Sequence, residues 1–226
     1  MSEFGVYVHI PFCRHRCDYC AFATWTDRDH LMVAYVDAVI ADIERTVKSG
    51  MPVADTVFFG GGTPTRLAPE LLASIVNAIP VTSNAEITIE CNPDDVTVEM
   101  MKIYAAAGVN RISMGVQSMV EHVLQSLNRT HDPANVVKAI AAAREGGITS
   151  INLDLIYGVH GESVDDWRTT VEQTIALQPT HISAYGLTVE AGTPLAEDPS
   201  RHPDDDDQAD KYVLADDLFS AAGLMN

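Results

Sequence analysis

YVHIPFCRHRCDYCAF, residues 7–22, opens on an apolar run and closes on three of the chain's four cysteines, Cys13, Cys17 and Cys20. The run GVYVHI (5–10) reads as a short, fully buried strand, so the thiols follow the carboxyl end of a strand, the edge where barrel enzymes assemble their sites. Five more such runs follow: DTVFF (55–59), EITIE (86–90), RISMGV (111–116), SINLDLIY (150–157) and HISAYGL (181–187). Helical periods separate them near 31–48, 68–78, 97–106, 119–127, 133–145 and 163–177, several closing on glycine (Gly50, Gly108, Gly146), and one more helix is expected at 208–222. Strand–helix alternation of this kind predicts parallel strands with crossover helices. A closed eight-unit barrel takes about 250 residues, so a partial, open (β/α)6 TIM-like barrel is expected, with a flat doubly wound sheet as the alternative.

Bulk properties narrow the function. With 14 basic against 32 acidic side chains, the formal charge of -18 opposes binding to nucleic acid or anionic lipid. The start MSEFGVYVHI has no signal-peptide pattern and no run of eighteen apolar residues exists, so stable membrane insertion is not expected and the cytoplasm is the expected compartment. Thiols stay reduced there, and clustered cysteines read as metal-binding rather than disulfide-forming. Cys91, far from the trio, reads as a small buried hydrophobe. His9 and His181, inside strand patterns, read as hydrogen-bonded core histidines. Asp204–Asp207 reads as a solvated loop and helix start.

Three thiols do not close a site. Zinc would need a fourth ligand, for which His15 or His9 is near in sequence, but no second ligand pair follows. A [4Fe-4S] cluster is the other reading: three thiolates hold three irons and leave the fourth for a chelating small molecule. Arg14 and Arg16 among the cysteines would favour thiolates and offset an anionic cluster. GGGTPT (60–65) after the second strand lets backbone approach a ligand. Glu90 ends the third strand, Gln117 follows the fourth, Arg129 can grip a carboxylate with two N–H groups, and Asp154 is a charge in an otherwise apolar strand, costly unless it faces the barrel mouth or has a partner.

The CxxxCxxC spacing of Cys13, Cys17 and Cys20 after YVHIPF resembles the radical S-adenosylmethionine superfamily, and the wider match from Tyr7 to Thr188 resembles the oxygen-independent coproporphyrinogen III oxidases and the related heme chaperones. That resemblance implies a [4Fe-4S] cluster on the three cysteines, with the vacant iron chelated by S-adenosylmethionine. It also implies cofactor contacts from Tyr7, Tyr19, Gly61, Gly62, Thr63, Glu90, Gln117, Arg129, Asp154 and Thr188, and it assigns no catalytic side chain. Reduction of the cofactor's sulfonium would generate a hydrogen-abstracting radical, a chemistry the cofactor carries. Oxidases of this kind resemble CxxxCxxCxC, whereas this chain continues Cys20-Ala21-Phe22. The resemblance therefore favours the heme-chaperone branch, which implies heme as cargo, a heme acceptor protein and a reductant protein as partners. A porphyrinogen decarboxylase and a zinc-stabilised barrel of other activity stay as alternatives. Two departures stand out: Val159-His160-Gly161 replaces the family's Leu-Pro-Gly, and relatives continue past this C-terminus with a second domain carrying a heme-associated His-Asn and Tyr-Trp signature. The expected organisation is a core over 1–200, then an acidic loop and terminal helix over 201–226 that begins a missing region.

Overall fold

A computed structural model describes residues 4–225; the expected core begins, and the expected terminal region ends, outside that range. Six strands form one sheet: β1 (Gly5–Ile10), β2 (Ala54–Gly61), β3 (Val81–Cys91), β4 (Arg111–Gln117), β5 (Ser150–Tyr157) and β6 (His181–Gly186). All five pairings are parallel and the spatial order is the chain order. That order excludes the doubly wound alternative, whose strand order must reverse at a switch point. Among the described residues β1 and β6 do not pair, so the barrel is open.

The helices are α1 (Met32–Lys48), α2 (Pro69–Ala78), α3 (Val98–Ala106), α4 (Glu121–Ser126), α5 (Pro133–Glu145), α6 (Val164–Ala176) and α7 (Asp205–Ala221). Their starts are chemically marked. Thr97, Asp132, Ser163 and Asp204 each accept a backbone N–H of the first turn, and Ser163 with Asp166 completes a reciprocal capping box. The aspartate run thus caps and opens α7, three residues earlier than the sequence suggests. α7 is fastened by a fully buried lysine: Lys211 Nζ reaches Asp207 at 2.7 Å, Glu162 Oε2 at 3.1 Å and the Glu162 carbonyl at 2.8 Å. Trp167 of α6 donates its indole N–H to the Lys211 carbonyl at 2.9 Å.

α5 ends at Glu145 with Gly146 as its cap, as the sequence suggests; the φ of Gly146 is -73° and a Cβ there would sit 2.3 Å from the Met101 Cβ, while the next residue, Gly147, takes φ +98°. Close packing against α3 fixes the first glycine and chain reversal the second. One sequence expectation needs correction: His181 is exposed on the edge strand β6, which pairs only with β5, rather than in the core. His9 is half-buried and hydrogen-bonded, between Tyr7 Oη (3.2 Å) and the Ala23 carbonyl (2.9 Å). Cys91 is buried, as its apolar surroundings require.

Alternation along each strand separates two surfaces. Val8, Ile10, Val57, Phe59, Ile87, Ile89, Ile112, Met114, Leu153 and Leu155 form a buried apolar layer. The alternate positions, among them Thr88, Ser113, Asn152 and Ser183, form a polar inner wall.

Candidate functional site

The cysteine loop leaves β1 and is pinned at its base: the Cys13 N–H donates to the Trp25 carbonyl (3.0 Å) and the Trp25 N–H to the Pro11 carbonyl (2.8 Å). Within it, the Cys20 N–H closes a turn on the Cys17 carbonyl at 3.1 Å. Thr63 Oγ1 lies 3.7 Å from Cys13 Sγ, and Arg129 Nη1 lies 3.5 Å from Cys17 Sγ. Burial raises the Cys13 and Cys20 thiols above their ordinary range, so the charge of a bound metal group is what would draw off their protons. Among the described residues no three His, Cys, Asp or Glu side chains converge on one metal ion. No fourth protein ligand of the kind zinc requires is assembled with the thiols among the described residues.

The glycine turn has a structural reason at each position. A Cβ on Gly62 would meet the Ile10 and Phe12 carbonyls at 2.7 Å, and one on Gly61 (φ +105°) would meet the His9 ring at 2.3 Å. The backbone N–H groups of this turn are engaged internally: Gly61 donates to Glu90 Oε2 (3.1 Å), Gly62 to the Ile10 carbonyl (2.8 Å) and Thr63 to the Phe12 carbonyl (2.8 Å). The turn thus supports the cysteine loop from below and presents a side-chain-free wall, rather than offering free donors.

The three thiols, Gly61, Gly62, Thr63, Glu90, Gln117, Arg129, Asp154, Tyr19 and Thr188 line one cavity of about 820 Å³ on the inner side of the sheet. Tyr7 does not join them. It is 57% exposed beside the cavity and stacks on Phe58, ring centroids 6.2 Å apart. Glu90 is pushed up to about 7 by burial first and by the charge of Asp154 second, against the lowering effect of the Gly61 N–H. Asp154 has the partners its strand position demands: Asn152 Nδ2 donates to Oδ1 (2.8 Å) and Ser113 Oγ to Oδ2 (2.8 Å). Arg129 is held by the protein itself, donating from Nη2 to Asn92 Oδ1 (2.8 Å) and the Gly115 carbonyl (2.9 Å). Gln117 sits at a register shift in β4 with φ +64°, a left-handed conformation that is strained for any residue but glycine.

Several site residues escaped the sequence reading. Asn92 bridges Thr63 Oγ1 (3.3 Å) and Arg129. Ser113 and Asn152 hold Asp154, and strict alternation along their strands was the signal that could have found them. Asp18, between two cysteines, accepts from Asn128 Nδ2 (2.8 Å) and Arg201 Nη1 (2.9 Å), while Arg201 Nη2 donates to the Ser126 carbonyl (2.6 Å). That clamp ties the cysteine loop to segments distant in sequence, and nothing local announces it. His131, buried behind Arg129, is lowered to about 4 by burial and then by the arginine's charge; its Nε2 lies 3.0 Å from the Val116 carbonyl, as suits a neutral ring donating its N–H there.

Comparison with known proteins places this geometry. The family model described as the radical SAM superfamily matches residues 7–174. The chain is 40% identical over 235 residues to a protein named heme chaperone HemW from Mycobacterium tuberculosis, covering 99% of this chain and 60% of that protein. It is 36% identical over 230 residues to the HemW of Escherichia coli, covering 99% of this chain and 61% of that protein. The chain thus spans about three fifths of the length of the curated relatives it matches. Among solved structures, the Escherichia coli coproporphyrinogen III oxidase HemN, described as a radical SAM enzyme, superposes with a TM-score of 0.89 at 26% identity, over 98% of this chain and 53% of that one.

Proposed function

The chain belongs to the radical SAM superfamily, and from that premise we propose that it is the core of a HemW-like heme carrier, holding a [4Fe-4S] cluster on Cys13, Cys17 and Cys20 and S-adenosylmethionine in the adjoining cavity. The observation that carries the reading is the convergence of three thiols, the glycine turn and the Glu90, Gln117 and Asp154 side chains on one cavity at the carboxyl edge of a parallel sheet. The donor set fits the group: three soft sulfurs, a guanidinium on Cys17 and a hydroxyl on Cys13 suit an anionic cluster with one position left for an outside chelator. The family implies both cofactors; heme as cargo is drawn from the relatives' names.

When bound and reduced, the cluster and S-adenosylmethionine supply radical chemistry. The chain's own residues position and shield. The side-chain-free wall of Gly61 and Gly62 admits a ligand flat against the backbone. Glu90, half-protonated near neutral pH, can donate to or accept from a ribose hydroxyl and gains a full charge beside an ammonium. Arg129 steadies Cys17 and, through Asn92, the glycine turn. Tyr19, packed with Val123, Leu127 and Leu187, excludes water from the cluster side.

Coproporphyrinogen oxidation is the second reading, favoured by the HemN superposition and opposed by Phe22 standing where those oxidases place a cysteine. Anaerobic reconstitution of the wild type and Cys17→Ser tests the ligand set: about four irons and four sulfides per wild-type chain, with loss in the variant. Equal loading of both would overturn it. On the loaded wild type, a Soret band after hemin addition with little 5′-deoxyadenosine release supports the carrier; release of 5′-deoxyadenosine with decarboxylated porphyrinogen supports the oxidase.

A further inference from the structure

Three arginines line the cavity, Arg16 on the cysteine loop and Arg129 and Arg111 on opposite ends of the wall, and the last two are bound very differently. Arg129, at the thiol end, is held by a sulfur and two oxygens. Arg111 opens β4 at the far end, on the polar inner wall with Ser113, Asn152 and Ser183. Its guanidinium makes a single hydrogen bond among the described residues, Nη1 to Thr88 Oγ1 at 3.3 Å. The Thr88 hydroxyl in turn lies 3.3 Å from Glu86 Oε1, but no carboxylate comes within ion-pair distance of Arg111, whereas Arg14, Arg28, Arg45, Arg66 and Arg201 each pair with an aspartate. Arg129 also has no carboxylate partner among the described residues, but a sulfur and two oxygens occupy its guanidinium, whereas Arg111 faces the cavity with one hydroxyl alone. The neighbouring polar groups cannot substitute for an anion, because Ser113 is committed to Asp154 and Asn152, and Ser183 to Asn152.

We propose that Arg111 is a carboxylate subsite on the cavity floor, taking an acid side chain of the cavity's second ligand. A guanidinium has five N–H donors in a planar fork that matches a carboxylate with two parallel bonds, and one of the five is in use. Carboxylate is favoured over phosphate because Glu90, Asp154 and Glu190 line the same cavity and would repel a doubly charged group more strongly. S-adenosylmethionine does not supply the acid: from Arg111 to Gln117 the strand rises about 20 Å at 3.3 Å per residue, and a cofactor chelating a cluster at the thiol end has its own carboxylate there. Identifying the ligand as heme, through a propionate, rests on the reading above; the subsite itself does not.

The test follows modification of Arg111 by phenylglyoxal, mapped by mass spectrometry on the anaerobically reconstituted wild type, with hemin, hemin dimethyl ester, glutarate or inorganic phosphate present. Protection by hemin and glutarate but not by the diester is expected and supports both subsite and cargo. Protection by glutarate alone keeps the subsite and sinks heme as its occupant. Protection by phosphate above glutarate, equal protection by the diester, or none at all overturns the subsite. In parallel, wild type should bind hemin about tenfold or more tighter than the diester, the worth of a charge-assisted contact, and Arg111→Gln should bring the two affinities together. A preference unchanged in that variant overturns the proposal.

Discussion

The helix side of the sheet carries Ile10, Phe59, Ile89, Ile112 and Leu153 without measurable exposure; the cavity side of the same strands carries Thr88, Ser113, Asn152, Asp154 and Glu90, tied by hydrogen bonds. Both sets alternate residue by residue, so one backbone serves two masters. The apolar side stabilises the fold by burial, roughly 25 cal/mol per Å² of apolar surface. The polar side contributes little net free energy, since its hydrogen bonds replace ones made with water, yet it fixes side chains that a ligand can meet. Stability and ligand chemistry should therefore respond to opposite halves of each strand.

The largest effect tests that separation directly. Leu153→Ala, on the helix side of β5, should cost about 2–5 kcal/mol, while Ser183→Ala, which removes the 3.1 Å bond to Asn152 Oδ1, should cost about 0.5–1.5 kcal/mol. Urea unfolding of the unloaded protein reads both, and equal costs would erase the distinction between faces.

Next in size is the pH response of Glu90. Its carboxyl is raised from 4.5 to about 7, so the fold holds that proton more tightly than the unfolded chain does. The contribution is fully present below pH 4.5 and is lost as pH rises to about 7, a change on the order of 3 kcal/mol at 1.36 kcal/mol per unit. Glu90→Gln keeps an acceptor for the Gly61 N–H and cannot ionise. The stability of the variant relative to wild type should therefore grow across that window; a constant difference would show that Glu90 ionises freely. Restoring an opposite charge, as a bound ammonium does, should shrink the difference.

A smaller effect is expected where the loop, not the sheet, carries the chemistry. Asp18→Ala releases Asn128 and Arg201 from the cysteine loop, but the ion pair is partly solvated, with side-chain exposures of 21% and 24%. About 1 kcal/mol of local stability is at stake, which should raise the alkylation rates of Cys17 and Cys20 in the unloaded protein about fivefold. Cys13, pinned by Trp25 and Thr63, should react as before. Uniform acceleration of all three would place the effect in global unfolding.

Legibility followed the same division. β5 and α5 fall where sequence periodicity puts them, Ser150–Tyr157 and Pro133–Glu145, because an apolar face and a capping aspartate are local signals. β3 starts at Val81, five residues before its apolar run, because Thr82, Ser83 and Asn84 carry no apolar alternation and the pairing that extends the strand, Ala54 with Val81, lies across the sheet. The thiols, Glu90 and Asp154 stood out as unusual residues in their segments. Asn92, Ser113 and Asn152 did not, because their role lies in what they touch across strands, and Arg201 meets Asp18 from 183 residues away. Tyr7, placed among the cofactor contacts by resemblance, stacks on Phe58, which lines the cavity.

Gln117 gives the finest test, because there the two surfaces make opposite demands on one residue. At φ +64° its backbone is strained, by about 1–2 kcal/mol for an ordinary L-residue, while its side chain lines the cavity. Glycine removes the strain and the amide together; alanine removes only the amide. Glycine also costs about 0.4–1 kcal/mol through the greater freedom of the unfolded chain. Gln117→Gly should therefore match or exceed Gln117→Ala in stability by less than about 1 kcal/mol, and both should lose affinity for S-adenosylmethionine to the same extent. If alanine proves clearly the more stable, the turn is not strained and needs no functional reason. If either variant keeps wild-type affinity, the amide is not a ligand contact, and the left-handed turn serves only to end β4 at the register shift it shares with Leu155.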